Sequence, residues 1–136
     1  MTDRAAAHGK NLRLFFSHSG DDADFARRLA SRLRNAGFET FIDIDDIQPG
    51  ENWSKAILRA LEMSDKLIFI VPSREGSGKN ALIELGAARA LGKPILAVMP
   101  DSSRAWNSEV ARAISNSAVL DASRLDDRNL VDALAS

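Results

Sequence analysis

Short apolar runs alternate with segments of helical periodicity along most of the chain. The runs that predict strands lie at 12–16, 38–42, 66–71, 94–99 and 118–120. Between them, apolar residues recur every three or four positions. This spacing predicts helices over about 22–36, 52–63, 80–91 and 105–115, and a last helix after residue 126. Gly37 stands just beyond the first of these helices, where a C′ glycine is typical.

The alternation of five strands with five helices predicts right-handed βαβ crossovers and a parallel sheet covered on both faces. The first, third and fourth strands are nearly continuous apolar runs, as expected of strands buried on both faces. The second strand carries Glu39 and Thr40 and the fifth is short, so these two are predicted at the edges. We therefore predict an α/β, flavodoxin-like three-layer sandwich with strand order 2-1-3-4-5. Residues 1–11 are predicted to be a flexible N-terminus and residues 12–136 a single domain.

Composition narrows the classes of function. The 136 residues are 45% hydrophobic and 27% charged, which is typical of one soluble domain. A net charge of -1 argues against direct nucleic-acid partners and anionic membrane surfaces. With no cysteine and two histidines, a disulfide framework, a thiolate zinc site and a cysteine nucleophile are excluded, and no metal is expected. No apolar run reaches membrane-spanning length, so the expected compartment is the cytoplasm.

One carboxylate has unusual surroundings in the third helix. On a helical projection, Arg89 points about 140° away from Glu84. The residues that share the helix face of Glu84 are all uncharged, and most are small. They are Asn80, Ala81, Ala87, Ala88 and Leu91. Open α/β sheets bind ligands beyond the carboxyl ends of the strands where the strand order reverses, here between the first and third strands. Glu84 is therefore expected, partly buried, at the rim of a ligand crevice. The alternative is that Glu84 has no functional role and is favoured only by the helix dipole in the first turns of the helix.

Several well-known kinds of ligand site and signalling domain are excluded because particular residues do not match their motifs. The loop "SREGSGKN" resembles a P-loop, but Ser73 and Asn80 replace the required glycine and hydroxyl residue. A turn that leads to an N-cap at Asn80 is the better prediction. Asp21 and Asp22 would repel a flavin phosphate and are instead predicted to cap the first helix. A receiver domain needs an aspartate at the end of the third strand, where this chain reads "IVPS".

Four segments, in order, carry a resemblance to a known family. They are "LFFSHSGDDADFARRLASRL", "GFETFIDIDDIQPGENW", "AILRALEMSDKLIFIVPS" and "NALIELGAARALGKPILAV". Over about residues 12–100 the chain resembles a TIR (Toll/interleukin-1 receptor) domain of the bacterial type. The resemblance implies that the domain at 12–136 is a TIR domain.

The resemblance implies two kinds of activity. Some TIR domains are protein-interaction adaptors, and others are hydrolases that cleave NAD at the nicotinamide–ribose bond, giving ADP-ribose or a cyclic isomer. It places the catalytic glutamate at Glu84, with NAD as substrate and no cofactor. The resemblance also implies that the partners are other TIR domains. Self-assembly of TIR domains into a homo-oligomer or filament is then expected during immune or bacterial defence signalling. A nucleotide-sensing or nucleoside-transferring relative is a further alternative.

The resemblance also implies a set of residues around Glu84. Those expected to bind substrate are Phe16, Ser17, His18, Ser19, Asp43, Trp53, Ser73 and Asn80. Those expected in the family's BB loop, which contacts a neighbouring domain, are Ile44, Asp45, Asp46, Ile47, Pro49 and Gly50. A structural role for His18, and an anchoring role for Trp53, remain open. Asn80 stands where many NAD-cleaving members carry a tryptophan.

Overall fold

The structure is a computed structural model that describes four continuous parts of the chain. These are residues 12–42, 53–72, 79–100 and 118–122, with the single positions 129 and 132. At positions 53, 54, 79–81 and 118 it describes the backbone alone. The helix predicted over 105–115 lies outside the described residues. Of the last predicted helix, only positions 129 and 132 are described, and both are helical.

Five parallel strands form one sheet in the order β2-β1-β3-β4-β5. Their bounds are β1 Arg13–Ser17, β2 Glu39–Ile42, β3 Lys66–Ile70, β4 Ile95–Met99 and β5 Ala118–Asp121. All four strand pairs are parallel. The predicted fold class and strand order are therefore confirmed. At the centre of the sheet Ser17 pairs with Phe69, so the carboxyl ends of β1 and β3 meet at the point where the strand order reverses.

Three helices lie within the described parts of the chain: α1 Ala23–Asn35, α2 Trp53–Met63 and α3 Lys79–Ala90. A 3₁₀ turn, Gly20–Asp22, precedes α1. Because α3 already includes Lys79, Asn80 lies inside its first turn, and the prediction of an N-cap at Asn80 is wrong. A cap contributes only about 1 kcal/mol, so packing of the helix against the sheet decides where α3 begins. Within the described parts, no helix has the length and apolar character needed to cross a bilayer.

Each face of the sheet carries its own core. Alternate side chains of a strand point to opposite faces, so Leu14 and Phe16 of β1 pack beneath α1, whereas Phe15 packs beneath α2 and α3. The core beneath α1 includes Ala26, Leu29, Ala30, Leu33, Ile68, Ile70 and Val98. The core beneath α2 and α3 includes Ile57, Leu61, Leu67, Phe69, Leu85, Ala88 and Ala97. The three central strands are therefore covered on both sides, as their continuous apolar sequences predict.

Two helices end in Schellman motifs that depend on glycine. After α1, the Phe38 N–H donates to the Leu33 carbonyl at 3.0 Å, while Gly37 has a φ of 104°. After α3, the Lys93 N–H donates to the Ala88 carbonyl at 3.0 Å, while Gly92 has a φ of 73°. Only glycine adopts this left-handed conformation without a steric penalty. The predicted C′ position of Gly37 is confirmed.

Two glycine substitutions in or beside α3 should change stability in opposite directions. Gly92→Ala is expected to lower the free energy of unfolding by ~1 kcal/mol, because alanine is strained at positive φ. Gly86→Ala, in the middle of the same helix, should raise it by about 0.5–1 kcal/mol by restricting the unfolded chain. An added Cβ would meet no described atom within 4 Å at either position. Urea unfolding measures both changes. If Gly92→Ala raised the free energy of unfolding as Gly86→Ala does, the conformation assigned to Gly92 would be contradicted.

Candidate active site

The site is built around a hydrogen bond between the end of β1 and the middle of α3. Ser17 Oγ donates to Glu84 Oε1 at 2.6 Å. This length lies at the short end of the range for O–H···O hydrogen bonds. Both side chains are 0% exposed, although they are 67 residues apart in sequence. Two residues predicted to belong to one site are thus brought into direct contact.

Glu84 is buried more deeply than its sequence pattern suggested. We expected a partly buried carboxylate at the rim of a crevice, but the side chain is completely enclosed. The end of β1 also differs from the prediction, since it was predicted at residue 16 and lies one residue later. Ser17 is consequently a strand residue, and its side chain reaches the Glu84 carboxylate. The hydrogen bond offsets part of the cost of removing the carboxylate from water.

Two residues of α3 depart from the pattern of an ordinary surface helix, although its Leu85 and Ala88 face the core. Its acid, Glu84, faces the interior beside Leu85 and Ala88, which are also buried. On the outer side Ile83 is 57% exposed. A surface helix normally turns its apolar stripe inward and its charges outward. An apolar residue of similar volume is often as stabilising as a buried charge, or more so, so stability alone does not account for glutamate at this position.

A second group of polar side chains follows β1 directly. His18 is buried, and its Nδ1 lies 2.8 Å from the Ser19 carbonyl oxygen. Since a carbonyl oxygen only accepts, Nδ1 is the donor in this contact and carries a proton. We assign this tautomer from the hydrogen-bond geometry. The ring is thus held by the backbone carbonyl of Ser19, immediately after Ser17 in the chain.

Asp22 supports this segment in a way that differs from the prediction. It occupies the N-cap position of α1, but within the described residues its side chain makes no capping hydrogen bond. Instead, the Ser19 hydroxyl donates to Asp22 Oδ2 at 3.3 Å, and the Asp22 N–H donates to the Ser19 carbonyl at 3.0 Å. Asp22 is 4% exposed. Its carboxylate therefore holds the turn that follows β1. Among the described residues, no group of three or more His, Asp or Glu side chains is arranged to hold a metal ion.

The structure separates Phe16 from Glu84. Phe16 is fully buried in the core beneath α1, whereas α3 packs on the opposite face of the sheet. The alternation of side chains along β1 causes this separation, because Ser17 and Phe16 are neighbours in sequence. Phe16 therefore supports the sheet beneath α1, and its role in substrate binding stays a prediction.

Several predicted site residues lie where the structure gives no side-chain description. Those outside the described residues are Asp43, Ile44, Asp45, Asp46, Ile47, Pro49, Gly50 and Ser73. Trp53 and Asn80 have described backbones in the first turns of α2 and α3, but their side chains are not described. Their roles in substrate binding and in the BB loop stay predictions.

A feature that the sequence did not suggest is a pocket of about 190 Å³ at the amino ends of β1 and β2. Its walls include Phe41, Ala60 and Met63. Arg13 and Glu39 also line it and form an exposed ion pair at 3.4 Å. Exposed ion pairs of this kind contribute little to stability. The pocket lies at the opposite end of the strands from Ser17, and so it is separate from the Glu84 site.

Comparisons with known protein structures identify proteins that share this fold. A Clostridium botulinum CMP N-glycosidase, BcmB, superposes with a TM-score of 0.59 at 18% identity, over 91% of this chain and 99% of that one. The TIR domains of the activated Roq1 resistosome superpose with a TM-score of 0.58 at 22% identity, over 92% and 80%. A 2-desoxiribosyltransferase from Leishmania mexicana gives 0.54 at 20% identity, over 66% and 65%. At these identities the likeness shows a shared fold. No curated protein sequence matches this chain.

The family is decided by a sequence match over nearly the whole chain. The family model described as "TIR domain" matches residues 14–134. The matched range contains both Ser17 and Glu84, and it covers all five strands of the sheet except the first residue of β1. The chain therefore belongs to the TIR domain family.

Proposed function

We propose that this TIR domain cleaves the bond between nicotinamide and ribose in NAD, with Glu84 as the catalytic residue. The observation that carries the proposal is the buried Glu84 carboxylate, fixed by Ser17 at the carboxyl ends of the central strands. That place in an open α/β sheet is where ligands bind. The burial of an acid among the apolar inward residues of α3 adds support, because a functional carboxylate explains a buried acid that stability does not.

One carboxylate is sufficient for this reaction. The C1′–N bond breaks with its electron pair passing to the nicotinamide nitrogen, so the cationic ring leaves as neutral nicotinamide and needs no protonation. Positive charge develops on the ribose, and a carboxylate in a site screened from water stabilises it strongly. Water then forms the new C1′–O bond and loses a proton, giving ADP-ribose. The second carboxylic acid of ordinary glycosidases is not required.

The structural relatives support the general class of reaction. One is named as a CMP N-glycosidase and another as a 2-desoxiribosyltransferase, and both names concern bonds to a sugar. Because the shared property is the fold, CMP and deoxynucleosides enter as competing substrates to be tested beside NAD. The resemblance of the four sequence segments favours NAD among them.

The complete burial of Glu84 bears on how the activity is controlled. A substrate reaches this carboxylate only after a rearrangement of the residues that enclose it. We therefore expect an isolated, dilute domain to be nearly silent, and self-assembly with other TIR domains to favour the open site. The rate per molecule should consequently rise with protein concentration. A rate strictly proportional to concentration, measured from micromolar protein upward, would contradict control by assembly.

The decisive experiment is a product assay on concentrated protein with and without a crowding agent. NAD, CMP and a deoxynucleoside are offered separately, and the products are separated by chromatography. Release of nicotinamide from NAD supports the proposal, and chromatography of the second product distinguishes ADP-ribose from a cyclic isomer. Release of cytosine or of a free base from the other substrates would assign a different nucleotide. No release from any substrate would favour a non-catalytic adaptor.

A further inference from the structure

We propose that Ser17 is the positioning residue of the Glu84 site, and that its hydroxyl sets the orientation of the carboxylate for the reaction. This inference rests on the proposed function of Glu84 and adds the residue that controls it. The Ser17 hydroxyl has a single hydrogen, and an ionised carboxylate can only accept. At 2.6 Å from Glu84 Oε1, that hydrogen is committed to one of the two carboxylate oxygens.

The location of Ser17 makes it a rigid anchor. It is the last residue of β1, a central strand that pairs with both β2 and β3. At Ser17 itself the pairing partner is Phe69 of β3, which is also fully buried. Glutamate, by contrast, reaches its carboxylate through three rotatable bonds. A fixed hydroxyl at the end of a central strand therefore removes freedom that the long side chain would otherwise retain.

A purely structural role for Ser17 is the competing explanation, and the chain provides a matched control for it. Ser64 is 5% exposed, and its hydroxyl donates to the Ala60 carbonyl at 2.7 Å. Ser64 follows α2 and precedes the amino end of β3. It therefore lies at the opposite end of the strands from the contact between Ser17 and Glu84. Ser17→Ala and Ser64→Ala each remove one buried hydroxyl together with the hydrogen bond described for it. They differ in the acceptor, which is a carboxylate for Ser17 and a backbone carbonyl for Ser64.

The kinetic expectation separates positioning from substrate binding. Ser17→Ala should lower kcat by about 10- to 100-fold while KM changes by less than about three-fold, since misorientation of a reacting group acts mainly on the chemical step. Ser17→Thr retains the hydroxyl and should recover most of the lost kcat. Ser64→Ala should leave kcat within about two-fold of the wild type, because its hydrogen bond lies far from Glu84.

An infrared measurement tests the same inference without any turnover. The difference between spectra of the wild type and Glu84→Gln isolates the carboxylate band of Glu84. The corresponding difference in the Ser17→Ala background should show this band shifted, because a strong hydrogen bond to Oε1 has been lost. In the Ser64→Ala background the band should keep its wild-type position. Urea unfolding of each variant establishes that it is folded.

These readouts distinguish failure of the inference from failure of the proposed function. An unshifted Glu84 band in folded Ser17→Ala, or equal kcat values for Ser17→Ala and wild type, would overturn the positioning role. If the wild type releases no nicotinamide, the proposed function fails, yet a shifted band still supports orientation of the carboxylate by Ser17. A rise in KM with unchanged kcat would assign Ser17 to substrate binding and overturn the inference.

Discussion

Glu84→Gln is expected to lower the rate of nicotinamide release from NAD by at least about 10³-fold, because the amide carries no charge to stabilise the developing oxocarbenium ion. The replacement keeps the size and shape of the side chain. Its amide oxygen still accepts the hydrogen bond that Ser17 Oγ donates at 2.6 Å in the wild type. The loss should therefore come from the charge and leave the packing of α3 intact. Chromatography of products at high protein concentration measures it.

A control variant and a stability measurement test whether this result is specific to the charge of Glu84. The matched control is Glu62→Gln, which changes an exposed acid on α2 in the same way and should leave the rate unchanged. In addition, Glu84→Gln should leave the free energy of unfolding equal to that of the wild type or higher, since it removes a buried charge. Equal nicotinamide release by wild type and Glu84→Gln would remove Glu84 from the catalytic role.

Leu33→Ala should be strongly destabilising, lowering the free energy of unfolding by ~2–5 kcal/mol. Leu33 is 0% exposed in the core beneath α1, and its carbonyl also accepts the Phe38 N–H in the Schellman motif. Truncation to alanine removes buried apolar surface and leaves a cavity in a close-packed layer. Typical domains have a total stability of about 5–15 kcal/mol, so a loss of this size removes a large share of it.

The chain contains a leucine that serves as the control for this effect. Leu58 on α2 is 46% exposed, and Leu58→Ala should cost less than about 1 kcal/mol because little of its surface is buried. Urea unfolding at room temperature gives both values. Similar losses for the two variants would show that the layer beneath α1 is not packed as described. Because Leu33 and Glu84 lie on opposite faces of the sheet, folded Leu33→Ala should retain the activity of the wild type.

The architecture could be predicted from the sequence because several independent signals agree. The continuous apolar runs of three strands require burial on both faces, and Glu39 and Thr40 suit the edge position of β2. Gly37 ends α1 where the periodicity stops. These signals depend only on local spacing and on the short, right-handed connections of parallel sheets. The strand order follows from them without knowledge of any individual contact.

The contact between Ser17 and Glu84 could not be predicted in the same way. Successive side chains of a strand point to opposite faces, so the role of Ser17 depends on where β1 ends to within one residue. The apolar pattern placed that end at residue 16, and the family resemblance grouped Phe16 with the site, whereas in the structure Phe16 packs in the core beneath α1. The N-cap predicted at Asn80 failed for a similar reason, because tertiary packing outweighs a local preference worth about 1 kcal/mol. The complete burial of Glu84 likewise depends on long-range packing.

The wide separation of Ser17 and Glu84 along the chain has a consequence for folding. Their hydrogen bond spans 67 residues, and the pairing of β1 with β3 must also close a long intervening loop. Contacts of such long range form late, after the entropy of loop closure has been overcome. The contact between Ser17 and Glu84 is therefore expected to form near the end of folding, and a truncated chain without α3 lacks it. Under the proposed function, nicotinamide release is thus expected to report the native topology of this domain more stringently than its helix content does.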